Sequence, residues 1–140
     1  MAKGTHSYIE DRRNENIIIY INGDFFPRSE AKISVFDSGF LLGDGVWEGL
    51  RLYNSKLCFI DEHIDRLYHG ANKLKIEIGK SKDELVSLIY KTIQINNMET
   101  DVHIRLIVSR GLKRTPYQHP NANVGGVTIV IIPEYKKADT

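Results

Sequence analysis

The stretch that decides the fold lies at residues 17–26 and reads I-I-I-Y-I-N-G-D-F-F. The β-branched run at its start is typical of a strand. Asn22-Gly23 stops that run, and this pair is a strong hairpin signal because both residues tolerate a positive φ. Residues 24–26 then form the returning strand, which Pro27 ends because proline removes a ladder donor. A β-hairpin is therefore the first predicted element.

A second hairpin is predicted downstream of a short extended segment at residues 31–36. It follows the glycine-punctuated stretch G-F-L-L-G-D-G at residues 39–45. Residues 46–53 read as a strand, in which Val46, Glu48 and Leu50 alternate with Trp47, Gly49 and Arg51. N-S-K at residues 54–56 is its turn, and we expect residues 57–60 to pair back against the strand.

Two helices follow, since the hydrophobic period changes from two to about 3.6 after residue 60. Asp61 is the expected N-cap of the first helix, and Gly79 closes that segment. The second helix begins at a capping box, in which Ser81 and Glu84 each satisfy a free backbone donor, and it runs to about Asn97. The apolar face of the first helix is expected to comprise Ile64, Leu67, Tyr68, Ala71 and Leu74.

The last predicted elements are two strands separated by a long loop. Residues 102–110 alternate like a half-buried strand, and residues 127–132 form a buried strand that Pro133 ends. The loop at residues 111–126 is of a length that is usually functional when it is ordered. Together the elements predict an α+β fold, with an antiparallel sheet built from hairpins and packed on one side against two helices.

A single domain is expected from the length of 140 residues. Residues 1–16 are polar and charged and contain no secretory signal, so they predict a flexible lead-in. Residues 17–133 carry the predicted elements and form the domain. Residues 134–140 are polar and are expected to begin a linker.

The composition excludes several classes of protein. Hydrophobic residues make up 41% and charged residues 26%, and no apolar stretch is long enough to span a bilayer. A formal net charge of +1 without a basic cluster argues against nucleic acid as a partner. The single cysteine, Cys58, cannot form an internal disulfide, which favours a reducing compartment and makes the cytoplasm the expected location.

Familiar cofactor and metal motifs are missing from the sequence. Gly43 and Gly45 lack the third glycine of a dinucleotide fingerprint, and no phosphate loop of the Gly-Lys-Ser/Thr type occurs. Paired cysteines are absent, and His63 and His69 lie six positions apart, which directs them to different faces of a helix. No metal site is therefore predicted.

Arg66 is a candidate for anion binding. It lies in the first predicted helix beside the apolar face, where a guanidinium can reach inward as a fork for a phosphate. The alternative is an ion pair with Glu62, four residues earlier, and spacing alone favours that pair.

Two neighbouring strands supply further candidates. Trp47 and Arg51 share one face of the strand at residues 46–53, with a gap between them at Gly49. An aromatic wall beside a cation outlines a site for a small carboxylate with an apolar side chain, whereas the alternative is a sheet surface with Trp47 packed under a helix. His103 and Arg105 likewise share the polar face of a strand, either solvated or directed at a ligand.

Four motifs occur in one order along the chain. They are I-N-G-x-F near Ile21, G-D-G-V-W-E-G-L-R-L-Y at 43–53, D-E-H-I-D-R-L at 61–67 and H-I-R-L-I-V-S-R-G at 103–111. Together they resemble the class IV aminotransferases, the fold-type IV enzymes that use pyridoxal 5'-phosphate. That family includes branched-chain aminotransferases, D-amino-acid aminotransferases, R-selective amine transaminases and aminodeoxychorismate lyases. The resemblance covers about residues 17–135 and implies the small N-terminal domain of such an enzyme.

The resemblance also implies roles for the candidate residues. Arg66 matches the family's arginine that contacts the cofactor phosphate. Trp47 and Arg51 match positions in a strand that lines the substrate pocket. His103 and Arg105 match a Y-x-R strand that helps receive the substrate carboxylate in branched-chain enzymes, with histidine in place of tyrosine.

The expected substrates are an amino acid and a 2-oxo acid. D-amino-acid aminotransferases carry an arginine and a histidine on the loop after R-G. Here the nearest residues are Arg114, which is out of register, and Tyr117. The resemblance therefore favours the branched-chain type. It also implies a homodimer in which the loop at residues 111–126 reaches the neighbouring subunit.

The lysine that forms an imine with the cofactor has no match in these 140 residues. In the family it lies in the second domain, beyond the linker, and is followed by a tyrosine and then a glutamate. Arginine cannot replace it, because its guanidinium stays protonated. We expect no catalytic residue in this chain, and we expect the chain to be inactive without a C-terminal domain. The lysines compared with that motif are Lys75, Lys91, Lys113, Lys136 and Lys137.

Two other functions remain open at this point. One is aminodeoxychorismate lyase, which uses the same scaffold and cofactor to release pyruvate. The other is a stand-alone domain without catalytic activity. Pyruvate release would distinguish the first from amino transfer, and a reducible imine with the cofactor would distinguish an enzyme from the second.

Overall fold

The computed structural model describes residues 8–138. Three α-helices, three short 3₁₀ helices and eight strands lie along these residues. The helices are α1 (Ser38–Leu42), α2 (Ile60–Lys73) and α3 (Lys82–Ile95). The strands are β1 (Ile18–Ile21), β2 (Asp24–Pro27), β3 (Gly45–Tyr53), β4 (Lys56–Leu57), β5 (Val102–Ser109), β6 (Leu112–Lys113), β7 (Asn123–Val124) and β8 (Thr128–Tyr135).

Six of these strands form one antiparallel sheet in the order β2-β1-β8-β5-β3-β4. The β1-β2 hairpin turns at Asn22-Gly23, where both residues have positive φ, as their sequence predicts. The long strands β3, β5 and β8 form its centre. β3 and β5 pair in register from Gly45 with Ser109 to Leu52 with Val102.

Helices α2 and α3 cover one face of this sheet and close the core. Leu50 and Leu52 of β3 and the buried side chains of β5 point towards them, and both leucines are at most 1% exposed. From α2, Ile64, Leu67 and Ala71 complete the layer. The capping box at Ser81 and Glu84 is formed as predicted. The α+β fold with two helices on an antiparallel sheet is therefore confirmed.

The other face of the sheet is not covered by α2 or α3. Side chains that alternate with the core residues project there: Trp47, Gly49 and Arg51 from β3, and His103 and Arg105 from β5. We call this surface the open face. It carries the candidate residues of both strands.

Helix α1 was not predicted, since its glycines read as a loop. It forms because the buried carboxylate of Asp37 accepts a hydrogen bond from Gly39 N at 2.8 Å and another from the Ser109 hydroxyl at 2.9 Å. Ser38 Oγ donates to the carbonyl of Gly111 at 2.6 Å. The bonds with Ser109 and Gly111 fasten α1 to the end of β5, and each joins residues about 70 positions apart, which a local pattern does not show.

The start of α2 differs from the prediction. Phe59 occupies the N-cap with φ at 53°, and Asp61 lies in the first turn. A carboxylate there still favours the helix, because it faces the positive end of the dipole. Residues 57–60 were expected to pair back against β3, but pairing stops at Leu57.

The end of α2 also differs. The helix stops at Lys73, well before the predicted closure at Gly79. The guanidinium of Arg110 accounts for this, since its nitrogens donate to the carbonyl oxygens of Leu74 at 2.7 Å and Lys75 at 3.2 Å.

Both predicted domain boundaries contain ordered structure. Residues 12–16 form a 3₁₀ turn, and the amide of Asn14 exchanges two hydrogen bonds with the backbone of Tyr135. Residues 1–7 of the predicted lead-in, and the last two residues of the predicted linker, lie outside the described residues. Pro133 does not end β8, which continues to Tyr135. The proline is tolerated because β1 pairs with β8 only at Val130 and Ile131, so β8 has one strand neighbour beyond them.

Candidate functional site

The open face brings together four of the five predicted site residues. Gly49 pairs with Arg105 and Arg51 pairs with His103 across the β3-β5 ladder, while Trp47 lies two residues before Gly49 on the same face. Directly opposed residues in an antiparallel pair have their Cβ atoms about 5 Å apart, so these side chains form one surface. The alternation read from the sequence located them correctly.

Arg105 stacks on Trp47, with the guanidinium carbon 4.0 Å from the centroid of the indole ring. This is a cation–π contact, which the planar guanidinium forms particularly well. Trp47 is 60% exposed and is not packed under a helix. That alternative interpretation of the residue is therefore wrong.

His103 lies over Gly49. A Cβ atom placed on Gly49 would come 3.0 Å from His103 Nε2, so the missing side chain provides the space that the imidazole uses. Burial lowers the pKa of His103 below its ordinary value, and the positive charges of Arg105, Arg51 and Lys136 lower it further. The imidazole is consequently held neutral beside two arginines.

Arg51 lies near the C-terminal end of β3, at the edge of this group of side chains. Its Nη1 donates to the carbonyl oxygen of Lys136 at 2.6 Å. This bond directs the guanidinium along the sheet towards the end of β8. It leaves further N–H donors free, because a guanidinium carries five.

An apolar cavity of about 480 Å³ begins at Trp47 and extends over the open face. Few polar atoms line the cavity, and its polar side chains are those of Asp37, Ser109 and Thr128. Cavities of this size with apolar walls and a few charged groups at one end are typical small-molecule sites. The apolar side chains that line it include Ile19, Ile21, Ile33, Phe40, Ile107, Val130 and Ile132.

Arg66 lies on the helix side of the sheet and pairs with Glu48. Its Nε lies 2.6 Å from Glu48 Oε1, and its Nη2 lies 2.8 Å from Oε2. The expected alternative partner, Glu62, is not the one used. The arginine side chain is 70% exposed and that of Glu48 only 4% exposed. A surface guanidinium is therefore paired with a buried carboxylate.

Glu48 stays ionised in this position. Burial alone would raise its pKa, but the hydrogen bonds and charge of Arg66 and the nearby His63 outweigh that effect and lower it. His63 Nδ1 lies 3.6 Å from Glu48 Oε1. Sequence reasoning missed Glu48, although alternation along β3 placed it on the face opposite Trp47.

Trp47 and Glu48 are consecutive, so the open-face residues and Arg66 lie on opposite sides of β3. They adjoin at one edge, because within the described residues the stretch Gly45–Leu50 has a strand partner only on the side of β5. A ligand that contacts both groups must therefore pass this edge.

Asp44 and Arg110 brace the segment that enters β3, and both were missed. Arg110 Nε lies 2.6 Å from Asp44 Oδ2, and the two side chains are 15% and 19% exposed. The S-R-G motif contains Arg110, but its partner is 66 positions away. Gly45 is required beside this pair, since a Cβ there would lie 2.7 Å from the carbonyl oxygen of Val108.

The loop at residues 111–126 is more structured than predicted, because it contains the small β6-β7 hairpin. Lys113 is 2% exposed, and its ammonium donates to Asn123 Oδ1 at 2.8 Å. Tyr117 is 71% exposed. Arg114 donates from its backbone to Ala122 at 2.9 Å. None of these side chains joins the open-face cluster.

Metal ligands and membrane spans are both missing from residues 8–138. This described part of the chain contains no group of three or more histidine, cysteine, aspartate or glutamate side chains placed to hold a metal. No helix there is both long enough and apolar enough to cross a membrane.

The family model for amino-transferase class IV matches residues 45–138. The chain belongs to the class IV aminotransferases. The matched region starts at β3 and includes both long helices, the open-face residues and Arg66. The resemblance recognised in the four sequence motifs is confirmed.

Curated relatives in this family carry more than one name. A protein of Methanocaldococcus jannaschii, named provisionally as a branched-chain-amino-acid aminotransferase, is 47% identical over 94 residues, which are 67% of this chain and 32% of that protein. A D-alanine aminotransferase of Staphylococcus aureus is 34% identical over 119 residues, 85% of this chain and 42% of that protein. The chain spans less than half the length of these relatives.

Solved structures confirm the fold. A branched-chain amino acid aminotransferase from the organism abbreviated T.th., complexed with N-(5'-phosphopyridoxyl)-L-glutamate, matches with a TM-score of 0.71 at 27% identity, over 84% of this chain and 40% of that one. The branched-chain aminotransferase of Escherichia coli matches with a TM-score of 0.74 at 25% identity, over 85% and 41%. This chain therefore has the fold of one part of those enzymes.

Proposed function

We propose that this chain is the small domain of a pyridoxal-phosphate-dependent aminotransferase that moves an amino group between an amino acid and a 2-oxo acid. An amino acid with a branched apolar side chain is the favoured substrate. One observation carries the proposal: Trp47, Arg51, His103 and Arg105 share the open face, and Trp47 also lines an apolar cavity on that face.

Arg51, His103 and Arg105, which we call the cation cluster, suit the carboxylate of the substrate. Arg105 and Arg51 supply N–H donors, and the neutral His103 between them donates or accepts without adding a third full charge. The indole of Trp47 fixes the plane of Arg105, so that guanidinium is oriented before a ligand arrives. Arg51, His103 and Arg105 would hold and orient the carboxylate.

The adjoining cavity suits an apolar side chain. The apolar side chains in its walls are mainly isoleucine and valine, which favour hydrocarbon over a charged or amide group because burying an unpaired polar group costs free energy. Several relatives and structural neighbours have branched-chain aminotransferase in their names, which supports such substrates, while other relatives are named D-alanine aminotransferases.

Arg66 would hold the cofactor through its phosphate. Glu48 occupies its Nε and Nη2, which leaves N–H donors of an exposed guanidinium for an anion. The residues present therefore fit a phosphate group. When bound, pyridoxal phosphate would supply an aldehyde that accepts the amino group and a ring that withdraws electrons from the substrate.

The lysine that bonds to the cofactor and moves the proton is a separate requirement. None of the lysines compared with the family motif matches it. We propose that the lysine lies in the larger part of the enzyme, since this chain spans 32% and 42% of the two relatives described above. In this proposal the chain binds and orients the ligands, and that lysine transfers the proton.

The experiment is an assay on the 140-residue chain and on any longer product of the same gene, after measurement of the intact mass. Amino transfer from leucine to 2-oxoglutarate and a borohydride-reducible imine in the longer product would support the proposal. Pyruvate release from aminodeoxychorismate without amino transfer would replace it with the lyase. A reducible imine in neither product would contradict an enzymatic role.

A further inference from the structure

Glu48 is a buried carboxylate in the interior of β3, and its surroundings are unusual for such a group. It is 3% exposed and lies between Val46 and Leu50 on the face that the helices cover. Burying an ionised carboxylate is unfavourable unless it is paired. Both of its neighbours on this face are apolar, so the acid must be stabilised by what it binds.

What it binds is one edge of the Arg66 guanidinium. Both carboxylate oxygens are used, Oε1 by Nε at 2.6 Å and Oε2 by Nη2 at 2.8 Å. This is the bidentate geometry in which an arginine fork and a carboxylate share a plane. An exposed arginine without such a partner samples many rotamers, and ordering it costs side-chain entropy. Here the fork is ordered although the side chain is 70% exposed.

The bonds used determine the donors that remain. Nε–H and one N–H of Nη2 point into the sheet towards Glu48, which leaves three N–H groups for other partners. Those three are on the solvent side, because Glu48 occupies the buried side. The guanidinium therefore presents a fixed set of donors at the edge of β3.

We propose that Glu48 is a positioning residue that holds Arg66 ready for the phosphate of the cofactor. This inference rests on the proposed function of Arg66. It assigns Glu48 an effect on phosphate affinity that is opposite in sign to the effect of its charge. A carboxylate near a phosphate repels it, so a charge effect alone would make the removal of Glu48 strengthen phosphate binding. A positioning effect makes the same removal weaken it.

The test measures binding of pyridoxamine 5'-phosphate and of pyridoxamine, which lacks the phosphate, to the 140-residue chain. Neither ligand has an aldehyde, so surface lysines do not react with them. The ratio of the two dissociation constants isolates the contribution of the phosphate. We expect Glu48→Gln to lower affinity for pyridoxamine 5'-phosphate roughly three- to tenfold, with affinity for pyridoxamine unchanged.

Glu62→Gln is the matched control. Glu62 is exposed on the same helix, four residues before Arg66, and the substitution removes the same charge without touching the Glu48–Arg66 pair. We expect it to leave the phosphate contribution unchanged or to increase it slightly. Unchanged or tighter phosphate binding in Glu48→Gln would overturn the proposal.

Two further measurements keep the outcome decisive. If Glu48→Gln does not fold, Glu48→Asp carries the test, because it keeps the charge but withdraws the oxygens by one methylene, and the same loss is expected. In the unsubstituted chain, the Nε–H resonance of Arg66 should exchange slowly with solvent. Fast exchange there would mean that the fork is not held, and would also overturn the proposal.

Arg66→Met separates this inference from the proposed function. If that variant keeps the full phosphate contribution, Arg66 does not bind the phosphate and the proposed role of Arg66 fails. If Arg66→Met removes the contribution and Glu48→Gln does not reduce it, the role of Arg66 stands and the positioning role of Glu48 fails.

Discussion

The guanidinium of Arg105 lies over the indole ring of Trp47 across two neighbouring strands, with 4.0 Å between the guanidinium carbon and the ring centroid. Trp47 belongs to β3 and Arg105 to β5, so the contact depends on the register in which Arg105 opposes Gly49. The space left by the missing side chain of Gly49 is used by His103, whose Nε2 would lie 3.0 Å from a Cβ placed there. The pair defines the boundary between the apolar cavity and the cation cluster.

Arg105→Lys should weaken carboxylate binding. An ammonium keeps the charge but loses the planar fork and its stacking on Trp47, so affinity should fall by roughly tenfold. Trp47 is the single tryptophan of the chain, so its fluorescence reports directly on this surface. The measurement is a fluorescence titration with 4-methylvaleric acid, a ligand of one structural neighbour. Arg114→Lys, on the exposed loop, is the control, and equal affinities in the two variants would contradict the assignment.

Gly49→Ala should displace His103. The added methyl would lie 3.0 Å from Nε2, closer than such contacts normally occur, so the imidazole must rotate away. We expect a change in the His103 ring resonances and a loss of stability of about 1 kcal/mol from the induced strain. Gly126→Ala is the matched control, because nothing lies within 4 Å of its Cβ position. Unchanged His103 resonances in Gly49→Ala would show that the imidazole does not occupy the space beside Gly49.

His103 should make stability depend on pH. Its pKa is lowered in the folded chain by burial and by Arg105, Arg51 and Lys136, so the unfolded chain binds more protons as the pH falls below about 6.5. Stability from this group is complete above that pH and is lost as the pH falls towards the folded pKa. His103→Gln should flatten this part of the pH profile in urea unfolding, whereas an unaltered slope would assign the dependence to other groups.

Arg51→Met should raise the pKa of His103, since it removes one of the three positive charges that face the imidazole. The remaining causes keep that pKa below the ordinary value, with burial the largest. An NMR titration of the ring protons in both proteins measures the change. A pKa that stays constant or falls in Arg51→Met would show that Arg51 does not act on the imidazole.

Arg110→Ala should destabilise the fold by about 2 kcal/mol, because it leaves the half-buried Asp44 unpaired and frees the carbonyl groups that end α2. Asp65→Ala, which breaks the exposed pair with Lys82, should cost less than about 1 kcal/mol. Chemical unfolding of both variants gives the comparison. A larger loss of unfolding free energy in Asp65→Ala than in Arg110→Ala would contradict the stabilising role assigned to Arg110.

The sheet and both long helices were predictable because their signals are local. The turn at Asn22-Gly23, the capping box at Ser81 and the alternation along β5 each report the conformation of a few neighbouring residues. That same alternation identified the shared face of His103 and Arg105. The motif order then gave the family, which the match over residues 45–138 confirms.

What the sequence did not show depends on contacts between distant residues. Helix α1 exists because Asp37 meets Ser109, and α2 stops early because Arg110 reaches its last carbonyl groups. The partner of Arg66 was assigned by spacing to Glu62, but it is Glu48, 18 positions away on a strand. A helical repeat indicates neighbours on one helix only, so it cannot select a partner on the sheet.

In the proposed function Arg66 binds the cofactor phosphate and the open face binds the substrate, so a molecule that joins cofactor and substrate must pass around the edge of β3. The most direct test is an NMR titration of this chain with N-(5'-phosphopyridoxyl)-L-glutamate, the ligand of one structural neighbour, which joins the cofactor to an amino acid. The titration follows the indole N–H of Trp47 and the Nε–H of Arg66 together. We predict that both resonances move with the same dissociation constant, and that pyridoxamine moves the Arg66 signal far less. Movement of one resonance alone, or two different dissociation constants, would contradict a single site.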